Sequence, residues 1–433
     1  MERALQEGGG GFVWRPLAAE DRARAIVAMV GEAAQRGGVI VLLPEVRVRS
    51  AVSTSLREAF GEAIGALGSD RSARERYRDW LALRTGAKRI VVGSRGAVFA
   101  PVQQLRLIVV DDEGHQSYKE GRAPRYHARA VAAERARRAA ATLVLVGVPP
   151  SVEARAATER GPYVAIAPSR PEERKHRPSV TVVERGSLAP SAATLRAAKE
   201  SLFAGRRVVL ITHRGGRHAE TATARATRIL SPAAAMHLDA SSTPSDVARA
   251  IRRADLISAT PFIAKDLVVD RVGVLALLDV DAALSQPEYR AAEDTFATWW
   301  RAARWTGDAR IFLESAQPAH PAVVALTKWD PDVLYRAEAA RRRELGYPPF
   351  AALARIDVPA DRAIEVAKDV AAAGLEALGP VEKEGRTVVV ARARRREDLL
   401  RALEPLASRW RAADEPMRVD VDPWEVFVPK WRS

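Results

Sequence analysis

The 433-residue sequence contains no cysteine. Disulfide bonds and cysteine-held zinc are thereby excluded. Seven histidines are present, but none pairs at ligand spacing beside carboxylates, so no metal site is expected of them. No apolar run reaches the roughly 18 residues a membrane span needs. The opening Met1-Glu2-Arg3-Ala4 has no basic-then-apolar signal pattern, and a cytoplasmic, nucleoid-associated protein with no membrane partner is expected. A phosphate loop is missing as well. That loop needs Gly-x-x-x-x-Gly-Lys-Ser/Thr between a strand and a helix. Here Gly8-Gly9-Gly10-Gly11 reads as a flexible lead-in (residues 1–11), and the strand Phe12-Val13-Trp14 runs into Arg15-Pro16-Leu17-Ala18-Ala19-Glu20 and a helical stretch from about Asp21 to Gln35. That junction has neither the glycines that turn backbone amides toward phosphates nor the lysine.

Positive charge is what the chain has in excess. Lys and Arg number 68 against 54 Asp and Glu, a net charge of +14 and a pI near 10.4. Such a balance points to a polyanionic partner, because releasing condensed counterions drives nucleic-acid binding. The plainer reading is an Ala- and Arg-heavy composition that spreads solvated Arg over the surface. Apolar residues at 47% and charged ones at 28% suit an ordinary globular chain of two or three domains.

The chain is organised around Leu107-Ile108-Val109-Val110-Asp111-Asp112-Glu113, continuing through Ser117-Tyr118-Lys119 to Tyr126-His127-Ala128-Arg129. An apolar, mostly β-branched run reads as a strand buried on both faces of a parallel sheet. Carboxylates at its C-terminal end stand where open α/β sheets place their ligands. In a nucleotide-hydrolysing motor one such carboxylate holds Mg²⁺ and a neighbour orients the attacking water.

This stretch resembles the Walker B segment of the PriA-type replication-restart helicases (primosomal protein N-prime), which reads Asp-Glu-Glu-His, then Ser-Tyr-Lys and Tyr-His-Ala-Arg. Asp111, Ser117, Tyr118, Lys119, Tyr126, His127, Ala128 and Arg129 match, while Asp112 stands in place of the catalytic Glu and Gly114 in place of the His. Further likenesses span about Val13 to Pro423. Val39–Leu43 with Pro44-Glu45 resembles motif Ia, and Gly93-Ser94-Arg95-Gly96-Ala97-Val98-Phe99-Ala100-Pro101 resembles Gly-Thr-Arg-Ser-Ala-Leu-Phe-Thr-Pro, a motif associated with single-strand contact. His213-Arg214-Gly215-Gly216 is similar to Asn-Arg-Arg-Gly, Thr260 to Lys265 to motif V, and Tyr289-Arg290-Ala291-Ala292-Glu293 and Leu345–Phe350 follow the family closely.

The departures are as informative. Gly147-Val148-Pro149-Pro150-Ser151 replaces Gly-Ser-Ala-Thr-Pro, and Val148 and Pro149 lack the hydroxyls that couple nucleotide state to DNA grip. An ungapped reading of motif VI puts Trp305 and Asp308 at its arginine positions; a four-residue deletion would instead retain Arg301 and Arg304. The ungapped reading is preferred, since it keeps the strand near Arg310 in step. The family's cysteine-rich zinc module is absent, as is its domain gripping a 3′ DNA end, so the chain resembles the shortened, degenerate form of high-GC actinobacteria.

The resemblance implies two RecA-like parallel-sheet helicase lobes plus a small C-terminal α+β domain. Residues 12–168 form lobe 1, 169–180 a charged, proline-flanked linker, 181–347 lobe 2 and 348–433 the terminal domain. Helices are expected at Ser53–Leu67 and Arg71–Leu83, capped by Ser53 and Asp70. Trp299, Trp300 and Trp305 read as core or lobe contacts rather than base-stacking platforms. Arg341–Arg343 with Arg392, Arg394, Arg395 and Arg396 are the densest basic spots, either a phosphate track or solvated charge.

Three functions compete. The first is a DNA-binding replication-restart protein on a helicase scaffold without catalysis: a degenerate Asp111, Asp112 and Glu113, no nucleotide or other cofactor, and DNA contacts at Arg95, Lys119, Arg129, Arg214 and Lys265, with forked or single-stranded DNA and other primosome proteins as partners. The second is a working ATP- and Mg²⁺-dependent 3′–5′ helicase. The third is a Mg²⁺-dependent phosphodiesterase built on Asp111, Asp112 and Glu113 or on Asp279 and Asp281. Strand alternation speaks against shared coordination by neighbouring carboxylates. The first is favoured, because the scaffold is kept while the phosphate loop and catalytic Glu are lost.

Overall fold

Three β-sheets divide the chain. The computed structural model describes residues 1–17, 21–44, 50–68, 71–184, 190–213, 217–261, 267–305, 307–383, 386–412 and 417–426. The first sheet holds β1 (Gly11–Trp14), β2 (Gly38–Leu42), β3 (Ile64–Ala66), β4 (Ile90–Gly93), β5 (Leu105–Asp111), β6 (Thr142–Val146) and β7 (Tyr163–Ile166). Its spatial order is β3-β4-β2-β5-β6-β1-β7, and every pairing is parallel. The second sheet holds β8 (Ser179–Val183), β9 (Arg207–Thr212), β10 (Ala235–Leu238), β11 (Leu256–Ala259), β12 (Val272–Leu278) and β13 (Arg310–Glu314), again all parallel, in the order β10-β11-β9-β12-β13-β8.

Continuous apolar strands force this layering. Alternation sends Val39, Val41, Leu107 and Val109 into one cluster and Ile40, Leu42, Ile108 and Val110 into the other. Both faces of the sheet therefore need helices over them. Lobe 2 repeats the device: Val209, Ile211, Leu275 and Leu277 face one side, Val208, Leu210, Val274 and Ala276 the other. Trp299 and Trp300 lie in the first of these cores, as the usual burial of aromatic side chains predicts. The two parallel lobes agree with the expected fold class.

The third sheet is antiparallel, in the order β15-β16-β14-β17, from β14 (Ala352–Val358), β15 (Glu376–Lys383), β16 (Arg386–Ala393) and β17 (Arg418–Val421). Helices Ala363–Ala372 and Arg396–Ala412 cover one face. The other face, through Leu353, Val388 and Val390, packs on Tyr289 of lobe 2 and on Val426.

Local details differ from the sequence reading. The first expected helix stops at Phe60, and Ile64–Ala66 is the edge strand β3, because Gly61 (φ 45°) ends the helix. The helix caps are Ser50 and Ser72, not Ser53, with Ser72 and Glu75 forming a capping box; Asp70 lies outside the described residues. Residues 1–11 carry a helix, Glu2–Glu7, whose Leu5 is buried and whose Ala4 carbonyl accepts from Thr142 Oγ1 at 2.8 Å. The stretch 169–180 contains a docked helix, Arg170–Lys175, and the start of β8. Strand β15 carries Gly379 and Pro380 within it, and the pairing absorbs them as an irregularity between Leu378 and Val381 on an edge strand.

Candidate functional site: the cleft between the lobes

The C-terminal ends of β1, β5 and β6 open toward lobe 2. Strand β5 delivers Asp111, and Asp112 follows in the left-handed region (φ 49°), a conformation that Asp tolerates better than most residues. The turn fans the three acids apart. Asp111 lies 3.5 Å from Arg22 Nε, Asp112 accepts from Arg301 at 2.7 Å, and Glu113 pairs with Arg129. Glu113 also accepts from the Ser151 backbone N–H at 2.6 Å and its Oγ at 3.0 Å. Three buried carboxylates thus meet three different guanidiniums.

Adjacent acids are pushed in opposite directions. Burial raises the Asp111 carboxyl above its ordinary pKa, with Arg22 too distant to compensate and the Asp112 charge adding to the rise. Burial works against Asp112 too, but the Arg301 guanidinium and nearby His115 outweigh it and hold its carboxyl below the usual range. Among the described residues, no cluster of three or more His, Asp or Glu side chains is placed to hold a metal.

Opposite these acids lies the lobe 2 helix Ala291–Trp305. Its Phe296, Trp299 and Trp300 face the lobe 2 core, and Trp300 stacks on Trp329 at 3.8 Å between ring centres. Glu293, Arg301 and Arg304 of the same helix reach across to lobe 1. Arg304 donates to the carbonyls of Pro16 at 2.7 Å and Leu17 at 2.8 Å, immediately after β1. Glu293 accepts from the Val152 amide at 2.7 Å. The geometry therefore supports the reading with a four-residue deletion in motif VI, in which Arg301 and Arg304 are retained. Asp308 lies away from the acids, paired with Arg206 at the surface at 2.5 Å. The ungapped reading trusted the step of β13, whereas the contacts of Arg301 and Arg304 with lobe 1 decide the matter.

Behind this cleft runs a buried ionic network. Arg290 pairs with Glu153 and, at 3.2 Å, with Glu293; Arg342 reaches Glu293 at 2.7 Å and Glu153 at 3.5 Å. Arg342 is only 1% exposed, so the Arg341–Arg343 cluster is not one solvated track. Sequence reasoning gave no role to Arg15, Arg22 or Glu153, noted Arg290 and Glu293 only within a family-like run, and read Arg342 only as part of a basic cluster. The family-like run Tyr289–Glu293 was the signal available for two of them.

The proposed DNA contacts fall as follows. Arg95 binds Glu120 at 3.0 Å and the Ser117 carbonyl at 3.3 Å. Lys119, 7% exposed at its side chain, pairs with Asp420 at 2.7 Å and donates to the carbonyls of Val421 at 2.7 Å and Arg125 at 2.9 Å. Arg129 is held by Glu113 and donates to Ser151 Oγ at 2.6 Å. Arg214 and Lys265 lie outside the described residues, as does Glu45. The motif around them is architectural as well: Tyr118 is fully buried and donates to the carbonyls of Leu42 (3.0 Å) and Asp111 (2.6 Å), and His127 stacks on Trp424.

Two parallel-sheet lobes with an acid-bearing central strand at their junction make this a helicase-fold protein. S. cerevisiae Dbp5 bound to RNA and ADP BeF3 superposes with a TM-score of 0.51 at 12% identity, covering 79% of this chain and 91% of that one. Mycobacterium smegmatis helicase Lhr bound to ssDNA and AMP-PNP gives 0.50 at 13% identity, over 87% and 51%. Sequence narrows the class. The family described as "Primosomal protein N C-terminal domain" matches residues 343–424. The replication restart protein PriA of Bacillus subtilis (strain 168) is 27% identical over 412 residues, 76% of this chain and 50% of the relative. A probable replication restart protein PriA of Mycobacterium bovis is 29% identical over 421 residues, 80% and 64%. The chain thus spans about half to two thirds of the length of these curated relatives, and the PriA-type resemblance is borne out.

Proposed function

We propose that this chain is a replication-restart protein that binds forked or single-stranded DNA on a helicase scaffold and has lost nucleotide hydrolysis. The observation that carries the second half is the state of the cleft. A nucleotide with its magnesium needs amides and a lysine for the phosphates, and carboxylates open to the metal. At this junction Pro16 and Leu17 present carbonyls to Arg304, and Asp111 and Asp112 already face Arg22 and Arg301. The residues present do not fit that cofactor, and no step is derived through it. The same pairing argues against Mg²⁺-dependent phosphodiester cleavage at these acids. DNA binding is supported by the net charge of +14 and by the PriA-type relatives. Arg95, Arg214 and Lys265 remain the proposed contacts on the DNA track, and primosome proteins the proposed partners.

The test is anisotropy with a labelled fork and a duplex of equal length across a salt series, beside phosphate release from ATP. A fork preference that persists at physiological salt, with no phosphate release, is expected. Equal binding to both DNAs that collapses with salt would leave only charge. Phosphate release abolished by Asp111→Asn would restore the helicase reading.

A further inference from the structure

We infer that the arginines of the cleft hold the two lobes closed as a single rigid body, the task a bound nucleotide performs in a motor of this fold. The inference rests on the proposed loss of the nucleotide cycle and goes further: it concerns what has taken the ligand's place. A motor opens and closes because its ligand binds one arrangement better than the other. In this chain the closed arrangement is cemented by groups that never leave.

Three sets of contacts carry the closure. At the acids, Arg301 of lobe 2 reaches Asp112 of lobe 1 at 2.7 Å, both side chains about nine-tenths buried. At the junction after β1, Arg304 spans to the Pro16 and Leu17 carbonyls, while Arg15 pairs with buried Glu173 of helix Arg170–Lys175. Arg170 of that helix in turn donates to the Trp329 carbonyl of lobe 2 at 2.9 Å. On the far side, Arg290 and Arg342 clasp Glu153, Glu293 accepts from Val152, and Tyr335 Oη donates to the Pro150 carbonyl.

The space agrees. Between Gly114, Pro149–Ser151 and the face of helix Ala291–Trp305 the remaining cavity is about 10 Å³, room for one water at most. Among the described residues, cavities of about 870 and 710 Å³ lie at the edge of the terminal domain and beside Arg106, Arg135 and Arg138. Buried pairs of this kind make opening a rare event, because each guanidinium and carboxylate would part into an incompletely solvated site.

The absence of cysteine makes the test direct. Arg84→Cys in lobe 1 and Lys199→Cys in lobe 2, both exposed, take a pair of nitroxide labels, and pulsed EPR reads the distance between lobes in the full chain, with and without ATP, AMP-PNP and Mg²⁺. One narrow distribution, unmoved by nucleotide, is expected. In the Arg301→Ala/Arg304→Ala background a second, longer population should appear, with at least a tenfold rise in the open fraction. Two populations in the labelled chain with its cleft arginines intact, or a shift on adding nucleotide, would overturn the inference without any change in the cleft. A distribution that stays single in the double variant would overturn the assignment to these arginines. Phosphate release measured on the same samples reports separately on the lost nucleotide cycle, so a closed chain that hydrolyses ATP and an open chain that does not are told apart.

Discussion

Asp111 and His213 are the residues at which pH acts most clearly. Asp111 has a folded pKa above its unfolded value, so its charge costs stability at every pH above that folded value and costs nothing well below the unfolded one. Asp111→Asn should therefore raise stability at pH 7 and lose that advantage as the pH falls below the folded value, read by urea denaturation. DNA affinity should not change. His213 is the opposite case. Burial lowers it to about 4, and its ring is fixed as the neutral tautomer between the Leu278 carbonyl (2.8 Å) and the Trp299 indole N–H (2.9 Å). The unfolded chain takes up this proton near pH 6.5 and the folded chain only near 4. Stability is therefore lost as pH falls through that window, by about 3 kcal/mol in all. His213→Asn should flatten that part of the pH profile.

At the scale of elements, the segment β17 with residues 422–426 behaves as a clasp. It pairs with β14, binds Lys119 through Asp420 and Val421, and sets Trp424 against His127 and Val426 against lobe 2. Lys119→Met would leave Asp420 largely buried without its cation, at a cost of about 3 kcal/mol. Hydrogen exchange should then show Arg418–Val421 opening ahead of the lobes. Helix Ala291–Trp305 is the other decisive element. The burial of its Trp299 and Trp300 was legible, since aromatic bulk in a helix seeks a core. What Arg301 and Arg304 meet was not legible, because periodicity places a residue on its own helix without saying what lies opposite in the other lobe.

For the whole molecule, the ionic joints couple the lobes. Thermal unfolding of the full chain should show lobes 1 and 2 melting in one transition, and Arg301→Ala/Arg304→Ala should split it, as differential scanning calorimetry would resolve. Nucleic-acid affinity should fall linearly on a log–log salt plot, its slope counting the phosphates neutralised. Of the basic residues proposed as phosphate contacts, Lys119 and Arg129 already have internal partners.

The layered fold was written in the order of residues. Short β-branched runs spaced by amphipathic helices admit little but parallel sheets, and the lack of cysteine excludes thiolate zinc without any coordinates. The loss of the phosphate loop was equally plain, since it turns on residue types within one short stretch. Partnership was not written there. Asp111, Asp112 and Glu113 are consecutive, yet their guanidiniums come from Arg22, Arg301 and Arg129, across as many as 189 positions of chain. A carboxylate at a strand end reads alike whether it awaits a metal or already holds an arginine. Only packing of the lobes decides, because the strength of a charge pair depends on distance and burial rather than on separation along the chain.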